Sequence, residues 1–179
     1  MTTALLITTF NEVTGVKKVV PRIKKEWVDE ILFVDGGSTD GTIEEAEKMG
    51  FKVIIQKQKG LGAAIIEGVN AIKSDNFILF GPDGNDEPEK IPQIIQKFKE
   101  GYDQVAVTRF GKGSINVARK KNAGKIDTFG NKMFTFLTNI FFGGHLTDCL
   151  VELRMMSKIH PKKYQKRTES SLHTHAGTW

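Results

Sequence analysis

Short, wholly apolar runs alternate along the first hundred positions with stretches in which apolar residues recur every third or fourth place. The runs predict buried strands and the stretches predict amphipathic helices. Ala4-Leu5-Leu6-Ile7 reads as a strand ending at Thr8-Thr9, and residues from about Val16 to Trp27 read as a helix with a basic outer face. Ile31 to Val34 is a second strand that stops at Asp35-Gly36-Gly37, where Ser38 to Asp40 offer caps for a helix beginning near Thr42. Lys52 to Ile55 is a third strand, and Ile65, Val69 and Ile72 fall on one face of a third helix. Phe77 to Phe80 is a fourth strand running into Gly81-Pro82-Asp83-Gly84. Pro88 suits the first turn of a fourth helix with a buried stripe of Ile91, Ile94, Ile95 and Phe98, and Gln104 to Thr108 is a fifth strand.

Continuous apolar strands alternating with helices predict a mostly parallel α/β sheet covered on both faces. Ligands of such sheets lie beyond the carboxyl ends of the strands. Three of those ends are polar, glycine-bearing or acidic: Thr8 to Glu12, Asp35 to Thr42, and Gly81 to Glu87. Beyond Phe110 the pattern loosens. Gly111 to Lys125 reads as a mobile basic loop, and Thr128 to Phe142 as a helix rich in phenylalanine. That helix either packs on the sheet or lies at a membrane interface beside the basic loop. Residues 158–179 have no periodicity and read as a basic tail after a domain spanning 1–157.

Composition narrows the classes. The chain has 179 residues, about one domain, and a net charge of +5, which favours anionic ligands but falls short of a dedicated nucleic-acid binder. Cys149 is the single cysteine, so an internal disulfide or a multi-cysteine zinc cluster is excluded. No apolar run approaches the roughly 20 residues of a membrane-spanning helix, and Met1 to Thr9 lacks the basic flank of a signal peptide. The expectation is a cytoplasmic protein, peripheral at most to the cytoplasmic face of a membrane.

The strand-end motifs each allow two readings. Asp35 to Thr42 is either a capped strand-to-helix turn or a turn whose leading carboxylate meets a base or ribose. Lys59-Gly60-Leu61-Gly62 fits a dinucleotide fingerprint poorly, because Ile65 stands where a third Gly or Ala belongs and Gly81 follows the next strand where an acid is wanted. A glycine-bearing lid over a nucleotide, or a plain helix start, fits better. Gly81 to Glu87 concentrates carboxylate and amide oxygens, which suit Mg²⁺ or Mn²⁺, or else form a solvated acidic loop. Asp148 and Arg154 are either a surface pair or a phosphate-orienting group.

In order, the chain carries Ile7-Thr8-Thr9-Phe10-Asn11-Glu12, Val34-Asp35-Gly36-Gly37-Ser38-Thr39-Asp40-Gly41-Thr42, Lys59-Gly60-Leu61-Gly62-Ala63-Ala64, and Phe80 to Glu89. Thr108-Arg109-Phe110, Gly130-Asn131, Phe142 to Asp148 and Arg154 follow. The series, over about residues 4–156, resembles the family-2 glycosyltransferases of the GT-A fold, in particular the dolichol-phosphate-mannosyltransferase-like branch. The resemblance implies a Rossmann-like, mostly parallel sheet with helices on both faces, here shortened at its C-terminus. It implies transfer of a sugar, with inversion, from a UDP- or GDP-linked donor to a polyprenyl phosphate or other glycan precursor. Glu12 and Asp35 would then hold the nucleoside, Thr8 and Phe10 would line its pocket, and Gly60 and Gly62 would lie over the nucleotide. Asp83 would hold Mg²⁺ or Mn²⁺ on the diphosphate. Arg109 and Arg154 would orient an acceptor phosphate, and Asp148 or Asp86 would take the proton of a hydroxyl acceptor.

The chain departs from the family pattern at four places. Thr8 stands for the opening Pro, Gly36 for the second Asp of the nucleotide motif, Gly81 for the first Asp of D-x-D, and Glu152 for a Gly of many relatives. These departures motivate the alternative of a catalytically impaired nucleotide-sugar-binding module.

Overall fold

A computed structural model of the chain describes residues 1–102, 104–107, 125–142 and 152–158. They form β1 (Thr3–Thr9), α1 (Val13–Val19), β2 (Glu30–Asp35), α2 (Thr42–Lys48), β3 (Lys52–Ile55) and α3 (Leu61–Ala71). β4 (Asn76–Phe80), α4 (Ile91–Phe98), β5 (Gln104–Ala106), α5 (Lys125–Phe142) and β6 (Arg154–Ser157) follow. The chain divides into one unit of 1–107 with 152–158, and a second of 108–151 with 159–179.

The first unit is built on a six-stranded sheet ordered β3-β2-β1-β4-β6-β5. β3, β2, β1 and β4 are parallel, as the continuous apolar runs predict. β6 is antiparallel to both β4 and β5. The predicted fifth strand therefore exists but does not adjoin the fourth. The intervening strand, Arg154-Met155-Met156-Ser157, has no alternating pattern, and its place is set by its partners Leu79 to Asn76 and Ala106 to Gln104.

Strand alternation sends Leu5, Ile7, Phe33, Ile78 and Phe80 to one face, where Val16, Val19, Ala46, Ile91, Ile94 and Phe98 of α1, α2 and α4 cover them. Ala4, Leu6, Leu32, Val34, Phe77 and Leu79 face the other way and meet Ala64 of α3 and Ile72 just beyond it. The line of closest approach on α3 runs through Gly68. A Cβ there would stand 2.9 Å from Val34 Cγ2, so the helix rests directly on β2.

The first helix differs from the sequence expectation. It starts at Val13 and ends at Val19, and two 3₁₀ turns, Val20–Arg22 and Lys25–Trp27, replace the rest of the predicted 16–27 span. Pro21 lacks an N–H and cannot sit inside an α-helix without breaking it. Arg22 then donates two hydrogen bonds to Glu89, at 2.8 and 2.7 Å, which hold the Glu89 carboxyl below its ordinary range. Both side chains are half-exposed, so the pair contributes little stability.

α5 is longer than the predicted 128–142 segment. Met133, Phe134, Phe136, Leu137, Ile140 and Phe141 are exposed on it. The predicted 111–125 loop, up to residue 124, and residues 159–179 lie outside the described residues.

Candidate active site

Strand order reverses direction between β1 and β4, the place where an open α/β sheet has its crevice. A cleft of about 620 Å³ lies there, within the usual range for small-ligand sites. Thr8, Thr9, Phe10 and Glu12 line it from β1, and Val34, Gly36 and Gly37 from β2. Gln56, Lys59, Gly60, Leu61 and Ala64 line the α3 side, and Gly81, Pro82, Asp83 and Glu152 complete it.

Asp35 ends β2 and is fully buried. Its Oδ1 accepts the N–H groups of Gly37 (2.9 Å) and Ser38 (2.6 Å), and its Oδ2 accepts the hydroxyls of Ser38 (2.7 Å) and Thr9 (2.7 Å). Thr9 reaches it because parallel register places the two residues side by side. The carboxylate therefore holds the 36–38 turn from beneath and does not itself form the cleft wall.

The first two strand-end loops are laced together. Asn11 takes a left-handed conformation (φ 54°) that asparagine tolerates. Its N–H donates to Ser38 Oγ (2.8 Å), and its Oδ1 accepts the Thr39 N–H (3.0 Å). Thr42 Oγ1 accepts the Glu12 N–H (2.8 Å) and donates to Asp40 Oδ1. Asp40 also accepts the N–H groups of Val13 and Thr42. The Thr42 hydroxyl, aided by those N–H groups, holds the Asp40 carboxyl below the usual carboxylate range. On the far wall, Glu67 accepts the N–H groups of Lys57 and Gln58, which fastens the segment leading to Gly60 onto α3. Gly60 has φ 107°, a conformation that favours glycine, and it turns the chain into α3.

The third loop follows β4. Asp83 is exposed on the cleft, and it accepts the N–H of Asn85 (2.9 Å) and its side-chain amide. Behind it, a Cβ on Gly15 of α1 would fall 2.2 Å from Pro82 O, so only glycine lets α1 pass the loop. Gly15→Ala is expected to destabilise the protein by about 1–3 kcal/mol, despite the better helix propensity of alanine, because the obstacle is backbone. Urea unfolding measures this, and an unchanged midpoint would show that the loop gives way freely.

Not every predicted site residue reaches the cleft. Thr8, Phe10, Glu12, Gly60 and Asp83 line it. Gly62 is exposed in the first turn of α3 but is not on the wall, because the helical turn presents Leu61 and Ala64 there instead. Asp86 is buried, and its Oδ2 accepts the Leu153 N–H (3.1 Å). Arg154 is half-buried in β6 opposite Leu79. Neither is a wall residue, so the geometry does not present Asp86 as a proton acceptor within the cleft. Arg109 and Asp148 lie outside the described residues. Thr9, Gln56, Lys59 and Glu152 line the cleft although they were not among the candidate site residues. Lys59 precedes a noted glycine motif and was legible. Glu152 is brought in by β6, which local patterning does not reveal.

The same fold is found in known proteins. The structure superposes on glucosyl-3-phosphoglycerate synthase from Mycobacterium tuberculosis, in complex with phosphoglyceric acid, with a TM-score of 0.68 at 19% identity, covering 88% of this chain and 57% of that one. The complex of that enzyme with Mn²⁺ and UDP-glucose gives 0.64 at 20% identity, covering 88% and 56%. The fold is therefore the GT-A fold. In sequence, the chain is 31% identical over 121 residues to dolichol-phosphate mannosyltransferase of Pyrococcus furiosus, covering 63% of this chain and 34% of that protein. It is 29% identical over 153 residues to dolichyl-phosphate hexose transferase of Haloferax volcanii, covering 84% and 64%. It is 35% identical over 107 residues to glycosyltransferase AglJ of the same organism, covering 59% and 35%. The chain thus spans about a third of the length of two of these relatives and just under two thirds of the other. The family model described as "Glycosyl transferase family 2" matches residues 4–163, and with the strand-end cleft in place the chain belongs to that family.

Proposed function

We propose that this chain transfers a sugar, with inversion at the anomeric carbon, from a UDP- or GDP-linked donor to a polyprenyl phosphate or related glycan precursor. The observation that carries this reading is the cleft itself. An exposed aromatic and Glu12 stand on its β1 wall, Lys59 and Gly60 at the start of α3, and two carboxylates where β4 and β6 meet. The names of the relatives, which include transferases acting on dolichyl and undecaprenyl phosphates, support the acceptor class.

Phe10 is 63% exposed and leans on Gly36, whose Cβ would stand 2.9 Å from Phe10 Cδ2. Its outer face suits stacking on a base. Asp35 acts through the turn it holds, setting Gly36 and Gly37 against the nucleoside. Lys59 and the first N–H groups of α3 face the diphosphate, since a helix N-terminus favours negative charge.

The donor set at the third loop fits a divalent cation. Among the described residues no three His, Cys, Asp or Glu side chains converge, so a protein cage is absent there. A carboxylate beside an amide, Asp83 with Asn85, suits Mg²⁺ or Mn²⁺, which bind few protein oxygens and keep water and phosphate ligands. Asp83 would hold the ion. When bound, it neutralises charge developing on the leaving diphosphate.

A phosphate acceptor is already anionic, so its oxygen attacks the anomeric carbon without a base. The bond between the anomeric carbon and the diphosphate oxygen breaks, and its electron pair leaves with the nucleoside diphosphate. Arg109 and Arg154 would orient the acceptor, and Asp148 would serve only for a hydroxyl acceptor. Among the described residues no helix is long and apolar enough to cross a membrane. The exposed apolar side chains of α5, next in sequence to Arg119-Lys120-Lys121, favour peripheral contact with an anionic membrane at its cytoplasmic face.

Titration calorimetry with UDP- and GDP-sugars, with and without Mn²⁺, tests the reading, followed by turnover with polyprenyl phosphate. Metal-enhanced binding of one donor class and release of its nucleoside diphosphate are expected. Binding without turnover would reduce the chain to a binding module, and no binding of either class would overturn the proposal.

A further inference from the structure

Gly81 and Glu152 share one piece of space. A Cβ on Gly81 would stand 2.2 Å from Glu152 Oε2 and 3.3 Å from Glu152 Cδ. The Glu152 carboxylate therefore lies where a side chain at position 81 would begin, at the end of β4 and two residues from Asp83. Gly81, Asp83 and Glu152 all line the same cleft.

The backbone around Glu152 is held in place. Leu153 is fully buried; its N–H donates to the buried Asp86 (3.1 Å), and its carbonyl accepts the Val107 N–H (3.1 Å). Asp86 comes from the loop that carries Asp83. One loop thus supplies the first carboxylate and fixes the chain that supplies the second.

We propose that Glu152 is the second carboxylate ligand of the divalent-cation site, delivered from β6 across the sheet into the space that Gly81 leaves open. The proposal rests on the donor-transfer reading above. It makes Gly81 and Glu152 a reciprocal pair, in which a carboxylate is carried at either position but not at both without displacement. Asp86 is a positioning residue in this scheme, acting through the Leu153 N–H. Hard oxygen donors at Asp83 and Glu152 match a cation that leaves its remaining positions to water and phosphate.

The test is Mn²⁺ binding by the full chain, read from the electron paramagnetic resonance signal of free aqueous Mn²⁺, alone and with UDP or GDP. Glu152→Gln keeps the size of an exposed side chain and removes its charge. It is expected to weaken Mn²⁺ binding by roughly tenfold or more, at least as much as losing an outer-shell partner costs a metal site. The double variant Gly81→Asp with Glu152→Gly is expected to recover affinity to within about threefold of the unmodified chain, by the same scale. Thermal unfolding of each variant is followed in parallel. Unchanged Mn²⁺ affinity in a folded Glu152→Gln, or a folded double variant that fails to recover it, overturns the assignment. Nucleotide binding with Mn²⁺ and in chelator separates the two readings: nucleotide retained while Mn²⁺ ignores position 152 overturns only this inference, whereas no nucleotide binding under either condition overturns the donor-transfer reading.

Discussion

Asp35→Ala is expected to lower stability by about 2–4 kcal/mol and to abolish a well-formed donor pocket. The carboxylate is fully buried and accepts four hydrogen bonds, two from main-chain N–H groups and two from hydroxyls. Removing it leaves those donors to find other partners, at about 1–3 kcal/mol for each one that stays buried and unmet. Gly37 is exposed and Ser38 half-exposed, so water recovers part of the loss. For a protein of this size the change corresponds to a fall in melting temperature of roughly 4–16 °C. Asp35→Asn separates the contributions. Its Oδ1 still accepts the Gly37 and Ser38 N–H groups, and the hydroxyls of Thr9 and Ser38 can rotate to accept from its amide, so a smaller fall is expected. Thermal unfolding together with nucleotide titration provides the measurement. If Asp35→Ala melted like the unmodified chain and lost only nucleotide binding, the carboxylate would be a ligand contact and not the support of its turn.

Asp83→Ala is expected to do the opposite. Asp83 is exposed and accepts hydrogen bonds from Asn85, two residues on, so the fold is expected to lose only about 0.5–1 kcal/mol. Turnover of the sugar-nucleotide donor should fall by roughly 10²–10³, the scale on which one electrostatic contact to a developing charge acts. The residual rate should no longer respond to Mn²⁺. Comparing initial rates across a Mn²⁺ series, with circular dichroism melts as control, settles it. A variant that stays active and metal-responsive would remove Asp83 from the cation site. The contrast between the two aspartates follows from burial: one holds the turn that shapes the cleft, and the other faces solvent where a donor diphosphate would lie.

The parallel half of the sheet was legible because its information is local. The apolar runs at Ala4, Ile31, Lys52 and Phe77 became β1 to β4 within a residue or two. The helix near Thr42 begins where Asp40 accepts the Thr42 N–H, a turn chemistry written in adjacent residues. Pro21 is a local signal of the same kind, since proline in mid-helix predicts the break that the structure has. The convergence of the three strand-end segments on one cleft was equally legible, because parallel strands bring their carboxyl ends to one edge whatever the details of packing.

The placement of individual carboxylates was not legible. Asp35, Asp83 and Asp86 look alike in sequence, each in a turn after an apolar run, yet one is buried beneath the cleft, one is exposed on it, and one is tied to Leu153. The pairing of Gly81 with Glu152 lies further still from local pattern. It depends on β6 entering antiparallel between β4 and β5, a choice made by long-range backbone pairing and side-chain fit. By itself the sequence determined the strand-and-helix rhythm, the parallel half of the sheet and the edge where the cleft lies, because periodicity and turn chemistry act over a few residues. Only the tertiary structure decided which acids face that edge and which hold it up, because burial and non-local contact are properties of the packed chain.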